Sequence, residues 1–263
     1  MNIKAIGVDI DGTILGHGKT MITPVLYDTF LRCKEKDIKL VLVTSRSLKE
    51  MEPIDSKLLD LFDYRVCSTG GVIYEKEYCI RKHTLVRKDL ETLIQHLDKK
   101  NILYSYSKLD GVFYYSRLAS PKQEKIYESL FGHGYPVEPL KDNVEVLDFL
   151  YFIDEHQVNE VKDYIHDTTE LCDFKVHGQV KPLGINKGYG IVEVAKLLNI
   201  EPEDFIVFGD GTNDVSMFAA AGKSVAMSNA SEIVQQAADE VCPSVDDDGV
   251  AYYLNNYLGG VEE

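Results

Sequence analysis

The fold of this 263-residue chain is decided near its start, by the stretch Ile6-Gly7-Val8-Asp9-Ile10-Asp11-Gly12-Thr13. An apolar run, predicted as a strand over residues 3–9, leads there into two carboxylates one residue apart. Burying an unpaired carboxylate costs several kcal/mol or shifts its pKa until it is neutral, so Asp9 and Asp11 require a compensating cation. Open α/β sheets bind their ligands at the carboxyl ends of parallel strands. The stretch therefore predicts such a sheet with a charged site at its edge.

Outward from this stretch, short apolar runs alternate with helix candidates. Continuous runs such as Leu40-Val41-Leu42-Val43 are typical of strands covered on both faces. Thr23 and Pro24 predict a helix start, because threonine caps free amides and proline fits the first helical position. The predicted strands cover residues 3–9, 40–43, 64–68, 205–208 and 223–227, and the predicted helices cover residues 24–37, 47–60, 187–198, 213–222 and a segment from 231. This alternation predicts a Rossmann-like, doubly wound parallel sheet with helices on both faces.

The segment between residues 83 and 183 has a different pattern. Its strand candidates follow one another through short turns, which favours an antiparallel sheet with helices on one side. The predicted strands cover residues 102–107, 111–116, 146–153 and 174–178, and the predicted helices cover residues 87–100, 120–131 and 155–167. We therefore predict a Rossmann-like core of residues 1–82 and 184–263, interrupted by an inserted α+β domain of residues 83–183.

Composition argues against several kinds of partner. The formal net charge of −15 is unfavourable for binding nucleic acid or anionic membranes, which requires basic patches. An anionic substrate must therefore be captured by local positive groups. The sequence shows no signal-peptide pattern and no apolar run long enough to cross a bilayer, and its five scattered cysteines form no C-x-x-C pair. These features predict a cytoplasmic protein with reduced thiols.

A second carboxylate cluster stands in Phe208-Gly209-Asp210-Gly211-Thr212-Asn213-Asp214, where another strand candidate ends. The spacing lets the first helical turn bring Asp214 back beside Asp210. Helix capping is the simpler interpretation of Asn213 and Asp214 taken alone. Two such clusters at strand ends of one α/β chain favour a metal site instead. Its donors are all oxygen atoms, which suits a hard cation such as Mg²⁺.

Two further polar segments stand at a strand end and at a helix start. The apolar run over residues 40–43 continues into Thr44-Ser45-Arg46, where a hydroxyl meets the start of a helix candidate. Asn186 is predicted to cap the later helix, with Lys187 in its first turn. A lysine there opposes the helix dipole, so a bound anion explains it better than the alternative of a solvated surface lysine. Combined with the carboxylates, these donors predict a phosphate site.

In chain order, these segments resemble the four motifs of the haloacid dehalogenase (HAD) superfamily, namely Asp9-Ile10-Asp11-Gly12-Thr13, Thr44, Lys187 and Gly209-Asp210-Gly211-Thr212-Asn213-Asp214. The layout is similar to that of the Cof-type phosphatases, in which a large α/β cap is inserted between the second and third motifs. The resemblance covers essentially the whole chain. It implies that the inserted domain is a cap that governs substrate specificity.

The resemblance also implies a role for each motif residue. Asp9 would attack phosphorus and form an aspartyl-phosphate. Asp11 would protonate the leaving oxygen and then activate the water that hydrolyses the intermediate. The implied Mg²⁺ ligands are Asp9, the backbone carbonyl of Asp11 and Asp210, with Asp214 supporting them from behind, and the implied phosphate contacts are Thr44, Lys187, Asn213 and the amides of Ile10 and Ser45.

Two positions depart from the family pattern. Relatives commonly carry glycine after the threonine of the second motif, where this chain has Ser45. They also commonly carry an Asn-Gly pair after the third strand, where this chain has Ser68-Thr69-Gly70-Gly71. The latter position faces the substrate in the family, so Thr69 argues against transferring a relative's substrate to this chain.

These expectations combine into a Mg²⁺-dependent phosphomonoester hydrolase of small phosphorylated metabolites, with sugar phosphates as the leading substrates. Alternatives within the enzyme class are a phosphatase of cofactor or nucleotide phosphates and a phosphomutase. A non-enzymatic alternative is a phospho-aspartate receiver module, which would use the acidic pocket, the threonine and the lysine for signalling. Receiver domains are much shorter and lack both an inserted cap and an acid at the second position.

Overall fold

The structure is a computed structural model that describes residues 3–16, 18–109, 113–115, 121, 125, 140–141, 144–152, 161–173 and 177–259. The chain divides into two compact units, one of Met1–Lys82 with Asn186–Glu263 and the other of His83–Ile185. The domain boundaries predicted from the sequence fall after residues 82 and 183.

Strands and helices alternate through most of the first unit, whereas strands predominate in the described part of the second. The strands are β1 (Ala5–Val8), β2 (Lys39–Val43), β3 (Tyr64–Cys67), β4 (Val72–Glu75), β5 (Tyr78–Lys82), β6 (Leu85–Val86), β7 (Leu103–Ser107), β8 (Phe113–Tyr115), β9 (Glu145–Val146), β10 (Asp148–Phe152), β11 (Thr169–Asp173), β12 (His177–Pro182), β13 (Phe205–Gly209), β14 (Lys223–Met227) and β15 (Glu240–Cys242). The α-helices are α1 (Pro24–Glu35), α2 (Ser56–Leu59), α3 (Glu91–Lys100), α4 (Lys187–Leu198), α5 (Val215–Ala220), α6 (Glu232–Ala237) and α7 (Gly249–Tyr257). None of the helices in the described ranges is long and apolar enough to cross a membrane.

The first unit is built on an eight-stranded sheet with the order β15-β14-β13-β1-β2-β3-β4-β5. All neighbouring pairs from β15 to β3 are parallel. Every residue of β1 and β13 is buried, as strands covered on both faces require. Val41 and Val207 of the sheet share one apolar cluster with Ile191 and Val194 of α4. The predicted α/β class with a parallel core is confirmed.

Two antiparallel strands, β4 and β5, extend this sheet beyond β3. The sequence analysis did not anticipate them. The sequence of β5, Tyr78-Cys79-Ile80-Arg81-Lys82, does not alternate between apolar and polar residues, and all five residues are exposed. At the opposite edge, the unanticipated β15 is only three residues long. The sheet is therefore mixed at one edge rather than parallel throughout.

Two predicted helix starts are confirmed, and one predicted helix is wrong. Thr23 Oγ1 accepts a hydrogen bond from Leu26 N at 3.2 Å ahead of α1, and Asn186 Oδ1 accepts one from Tyr189 N at 2.9 Å ahead of α4. The helix predicted over residues 47–60 is instead a short 3-10 turn followed by the four-residue α2. Pro53 lies between the two, and because proline has no amide hydrogen it cannot donate the hydrogen bond that a continuous helix requires at that position.

The second unit contains a five-stranded sheet, β11-β12-β10-β7-β8, in which every neighbouring pair is antiparallel. Leu93, Ile94 and Leu97 of α3 belong to one buried apolar cluster with Phe149 and Tyr151 of β10. The spacing of the three helical positions puts them on one face, as an amphipathic helix on a sheet requires. This arrangement agrees with the α+β class predicted for the inserted segment.

Several predicted boundaries in this unit are wrong. The strand predicted over residues 146–153 is divided into β9 and β10. Of the strand predicted over residues 174–178, residues 174–176 lie outside the described residues, and His177 and Gly178 belong to β12, which continues to Pro182; β11 was not predicted. Most of the helix predicted over residues 120–131 lies outside them as well. The described end of the helix predicted over residues 155–167 contains a 3-10 turn at Lys162–Tyr164.

Candidate active site

The candidate site lies at the carboxyl edge of the parallel strands of the first unit. Asp9 follows β1, Thr44 follows β2 and Asp210 follows β13, and these three strands are neighbours in the sheet. Asp9 N donates a hydrogen bond to Phe208 O at 3.0 Å, and Thr44 N donates one to Val66 O at 2.8 Å. Because parallel strands end at the same edge, residues far apart in the sequence converge there.

Lys187 joins the first and last motifs. Its Nζ lies 2.7 Å from Asp9 Oδ1 and 2.6 Å from Asp214 Oδ1, and its side chain is 0% exposed. Lys187 is the first residue of α4, where the helix dipole disfavours a cation. The two carboxylates offset that cost. The alternative of a solvated surface lysine is therefore wrong.

The turn after β3 fixes the position at which α4 begins. Ser68, Thr69 and Gly70 have left-handed φ angles of 49°, 54° and 97°. A Cβ at Gly70 would lie 2.2 Å from the Asn186 carbonyl oxygen, so this position requires glycine. Thr69 N donates to Thr44 O at 3.1 Å, which ties the turn to the end of β2. The segment that departs from the family pattern thus supports both the second and third motifs.

Burial sets the charge balance of this cluster. Burial raises the pKa of Asp9 to about 7 against the opposing effect of the Lys187 ammonium, and the nearby Asp214 carboxylate adds to the rise. Burial also works against the charge of Lys187, but the two carboxylates outweigh it and the pKa of Lys187 lies above its ordinary value. With both carboxylates ionised, one ammonium faces two negative charges. Such a site favours the binding of a further cation.

Asp214 returns to the end of β13, as its spacing from Asp210 predicts. Its Oδ2 accepts hydrogen bonds from Asp210 N at 3.0 Å and Gly211 N at 2.8 Å. Its Oδ1 accepts from Lys187. Both oxygens thus have protein donors, so Asp214 is suited to hold the turn and the lysine in place.

Asp210 is oriented by two side chains to which the sequence analysis gave no role. Thr13 Oγ1 donates to Asp210 Oδ1 at 3.1 Å, and Asn229 Nδ2 lies 3.3 Å from Asp210 Oδ2. Asn229 Nδ2 also donates to Gly12 O at 2.9 Å. Gly12 has φ 80°, and a Cβ there would lie 2.1 Å from Asp210 Oδ2. Asn229 closely follows β14, so its place near the carboxyl end of a parallel strand was a signal that could have identified it.

Asp9, Asp210 and Asp214 form an acidic cluster that could hold a metal ion. Each offers a carboxylate oxygen, and these oxygens all lie within 4.8 Å of one another. Carboxylate oxygens suit hard cations, and a site with few protein ligands that is completed by water and substrate phosphate suits Mg²⁺. The donor set therefore fits the metal that the motifs imply.

The side chain of Asp11 lies outside this cluster and pairs with Arg46. Arg46 Nη2 lies 2.6 Å from Asp11 Oδ1, and Arg46 Nε lies 2.8 Å from Asp11 Oδ2. The Asp11 side chain is 55% exposed. The two acids of the first motif therefore have different environments. Asp9 is buried and paired with Lys187, whereas Asp11 is exposed and paired with Arg46. The sequence analysis noted Arg46 only as part of a polar segment and gave it no partner.

The other predicted phosphate contacts lie on loops around the cluster. Thr44 is buried, and its Oγ1 accepts a hydrogen bond from Arg46 N at 3.0 Å. Ser45 is exposed in the same loop, and Asn213 is half-buried in the turn before α5. The Ile10 amide hydrogen-bonds the Asp9 carboxylate, which lowers the pKa of that carboxyl. The structure thus brings the acids and the lysine together and leaves exposed or half-buried polar groups beside them.

A parallel sheet whose edge carries paired carboxylates and a buried lysine is typical of an enzyme that acts on phosphate groups. The sequence model of the haloacid dehalogenase-like hydrolases matches residues 6–254, and the chain belongs to that family. The predicted resemblance is confirmed, and the chain is a phosphatase of this family rather than a receiver module.

Relatives over nearly the full length agree with this assignment. The chain is 24% identical to the 5-amino-6-(5-phospho-D-ribitylamino)uracil phosphatase YcsE of Bacillus subtilis over 98% of this chain and 97% of the relative. It is 25% identical to the pyridoxal phosphate phosphatase YbhA of Escherichia coli over 98% of this chain and 100% of the relative. A solved HAD subclass IIB sugar phosphatase superposes with a TM-score of 0.82 at 26% identity, covering 97% of this chain and 98% of that one.

Proposed function

We propose that this protein is a Mg²⁺-dependent phosphomonoester hydrolase that acts through a phosphorylated Asp9, with sugar phosphates as its leading substrates. The observation that carries the proposal is the buried ion-pair cluster, in which Lys187 Nζ joins Asp9 Oδ1 and Asp214 Oδ1. A carboxylate attacks a phosphate ester only where positive charge offsets their mutual repulsion. Lys187 supplies one such charge, and the acidic cluster is suited to hold another.

The proposed reaction has two steps at Asp9. In the first, an Asp9 oxygen bonds to phosphorus, the ester P–O bond breaks, and Asp11 gives its proton to the departing alkoxide. In the second, a water gives a proton to Asp11 while its oxygen bonds to phosphorus, and the bond between Asp9 and phosphorus breaks. Lys187 holds Asp9 in place throughout and screens its charge. A bound Mg²⁺, held by Asp9, Asp210 and the Asp11 carbonyl, would supply further neutralisation of the phosphoryl oxygens.

The proposed substrate class has support from the relatives and from the presence of the second unit. The subclass IIB neighbour is a sugar phosphatase, which supports a sugar phosphate. Relatives that act on a phosphoribitylamino-uracil and on pyridoxal phosphate support cofactor-type phosphates as the second candidate. We propose that residues 83–183 form the cap that excludes bulky substrates and selects among small ones. Thr69, which occupies the position of the family's asparagine, is expected to contribute to that selection.

Phosphate release from a panel of hexose phosphates, nucleotides, pyridoxal phosphate and flavin mononucleotide tests the proposal, with Mg²⁺ and after chelation. We expect turnover of sugar phosphates above the rest, its loss on chelation, and a loss of at least about a thousandfold in Asp9→Asn. Product analysis separates hydrolysis from transfer of the phosphoryl group to another hydroxyl of the substrate. Near-normal turnover in Asp9→Asn would contradict the proposed mechanism, and a preference for cofactor phosphates would contradict the proposed substrate class.

A further inference from the structure

Asp11 and Arg46 form a two-point ion pair at the site. Two hydrogen bonds, of 2.6 and 2.8 Å, join the guanidinium to both oxygens of the carboxylate. A forked pair of this kind fixes the plane of a carboxylate as well as its distance. A single ammonium would leave the carboxylate free to rotate.

The guanidinium has one further partner besides Asp11 among the described hydrogen bonds, and the Arg46 backbone has two. Arg46 Nη1 donates to Glu50 O at 3.1 Å, Arg46 N donates to Thr44 Oγ1 at 3.0 Å, and Ser68 N donates to Arg46 O at 2.9 Å. Glu50 is in turn fixed by a bond from Ser47 N to Glu50 Oε2 at 2.7 Å. Arg46 therefore has partners within its own loop in addition to Asp11, and only 27% of its side chain is exposed.

We infer that Arg46 is a positioning residue, which aims the Asp11 carboxylate at the leaving-group oxygen and at the attacking water. This inference rests on the proposed function, in which Asp11 carries the proton. Asp11 is half exposed and stands on a loop, so without a partner its side chain would sample several rotamers. Arginine stays protonated and has no acceptor, so Arg46 cannot carry the proton itself. Its contribution is to hold the direction of the carboxylate.

Two other roles for Arg46 predict different kinetics. As a phosphate ligand it would bind every substrate through the same group, and its loss would raise KM and weaken inhibition by inorganic phosphate. As an ordinary exposed ion pair it would affect stability slightly and catalysis not at all. A positioning role acts only through Asp11. The decrease in rate on removing Arg46 must then depend on how strongly the leaving group requires a proton.

The test compares kcat/KM, which reports the first step, for an alkyl phosphate and for p-nitrophenyl phosphate. An alkoxide leaves only when it is protonated, whereas p-nitrophenolate leaves without a proton. In Arg46→Gln we expect a loss of about a hundredfold for the alkyl phosphate and of less than about tenfold for the nitrophenyl ester, with KM near the wild-type value. Adding Arg46→Gln to Asp11→Asn should cause no further loss, because both changes remove the same proton transfer.

Arg46→Lys keeps the charge without the fork and should show the same selective loss to a smaller degree, which covers the case in which Arg46→Gln fails to fold. Arg81→Gln is the matched control, since Arg81 Nη1 makes an ion pair with Glu193 Oε2 at 2.8 Å elsewhere in the first unit. We expect it to leave both substrates unaffected. Equal losses for the two leaving groups, or a rise confined to KM, would overturn the inference. A wild-type enzyme inactive on both esters would instead reject the proposed function, and this inference with it.

Discussion

Replacing Lys187 by methionine should destabilise the metal-free protein strongly. The side chain is fully buried, and its ammonium is the partner of both Asp9 and Asp214. Methionine has a similar length and no charge, so the change removes the ion pairs while leaving the space filled. What remains is two buried carboxylates facing each other without a cation.

The magnitude follows from that loss of compensation. Removing one partner of a buried ion pair typically costs about 3–5 kcal/mol, because the other charge stays buried and unpaired. Asp214 keeps its two backbone amide donors, so most of the loss should arise at Asp9. Burial already raises the pKa of Asp9 to about 7, and the loss of the ammonium raises it further. The destabilisation should therefore be larger at pH 8, where Asp9 ionises, than at pH 5, where it is neutral.

Urea unfolding of the chelator-treated protein at both pH values measures this effect. Lys196→Met is the matched control on the same helix, because the Lys196 side chain is 62% exposed and its buried partner Glu193 keeps a second ion pair, with Arg81 at 2.8 Å. Since no buried charge is left without a cation, this variant should stay within about 1 kcal/mol of the wild type. The double variant Lys187→Met/Asp9→Asn should recover part of the loss at pH 8. A free energy of unfolding for Lys187→Met within about 1 kcal/mol of the wild type at pH 8 would refute the reasoning.

Three further predictions concern single positions. Asp9→Asn should abolish phosphatase activity yet stabilise the metal-free protein at pH 8. The stabilisation is expected because a buried carboxyl with a raised pKa destabilises the fold as the pH rises towards 7. Thermal melts at pH 5 and 8 measure the difference. Asn229→Ala should weaken Mg²⁺ binding by about tenfold or more, because Asp210 loses an orienting partner; calorimetric titration measures it. Thr69→Asn should raise the free energy of unfolding by about 1 kcal/mol, because asparagine tolerates the left-handed φ of 54° better than a β-branched residue; urea unfolding measures it.

Each of these three predictions has a result that would contradict it. A metal-free Asp9→Asn protein that melts below the wild type at pH 8 contradicts the assigned cost of burial. Unchanged Mg²⁺ affinity in Asn229→Ala shows that Asp210 is held by Thr13 alone or does not bind the metal. A loss of stability in Thr69→Asn means that contacts of the buried threonine outweigh its backbone strain.

The site residues that can be predicted from the sequence are those whose residue type is unfavourable in the strand or helix where they stand. Asp9 and Asp210 stand out because each is a charged residue directly after an apolar strand. Lys187 stands out because it is a cation in the first turn of a helix. The parallel core follows from the same apolar runs. In each of these cases the unfavourable free energy of the residue at its position can be inferred from the sequence.

The hydrogen-bond partners of individual side chains around the site could not be predicted. The pairing of Asp11 with Arg46 spans 35 residues and depends on the path of a loop. The contact of Asn229 with Asp210 needs β14 to lie beside β13, which the sequence order alone does not state. The helix predicted over residues 47–60 shows the opposite error, since a polar segment with helical spacing is interrupted by Pro53. Local pattern predicted most elements of the parallel core, but it did not predict which side chains pair with one another.

The exposed edge strand β5 has a consequence for the behaviour of the protein at high concentration. A sheet edge is a template on which another chain can add a strand, and this is a common start of aggregation. The strand ends in the charged residues Arg81 and Lys82, and the register of its pairing with β4 shifts between Ile73 and Tyr74. Charged edge residues and such irregularities are among the means by which natural sheets prevent edge-to-edge association. The strand that no apolar pattern reveals thus carries features that keep neighbouring molecules of this protein apart.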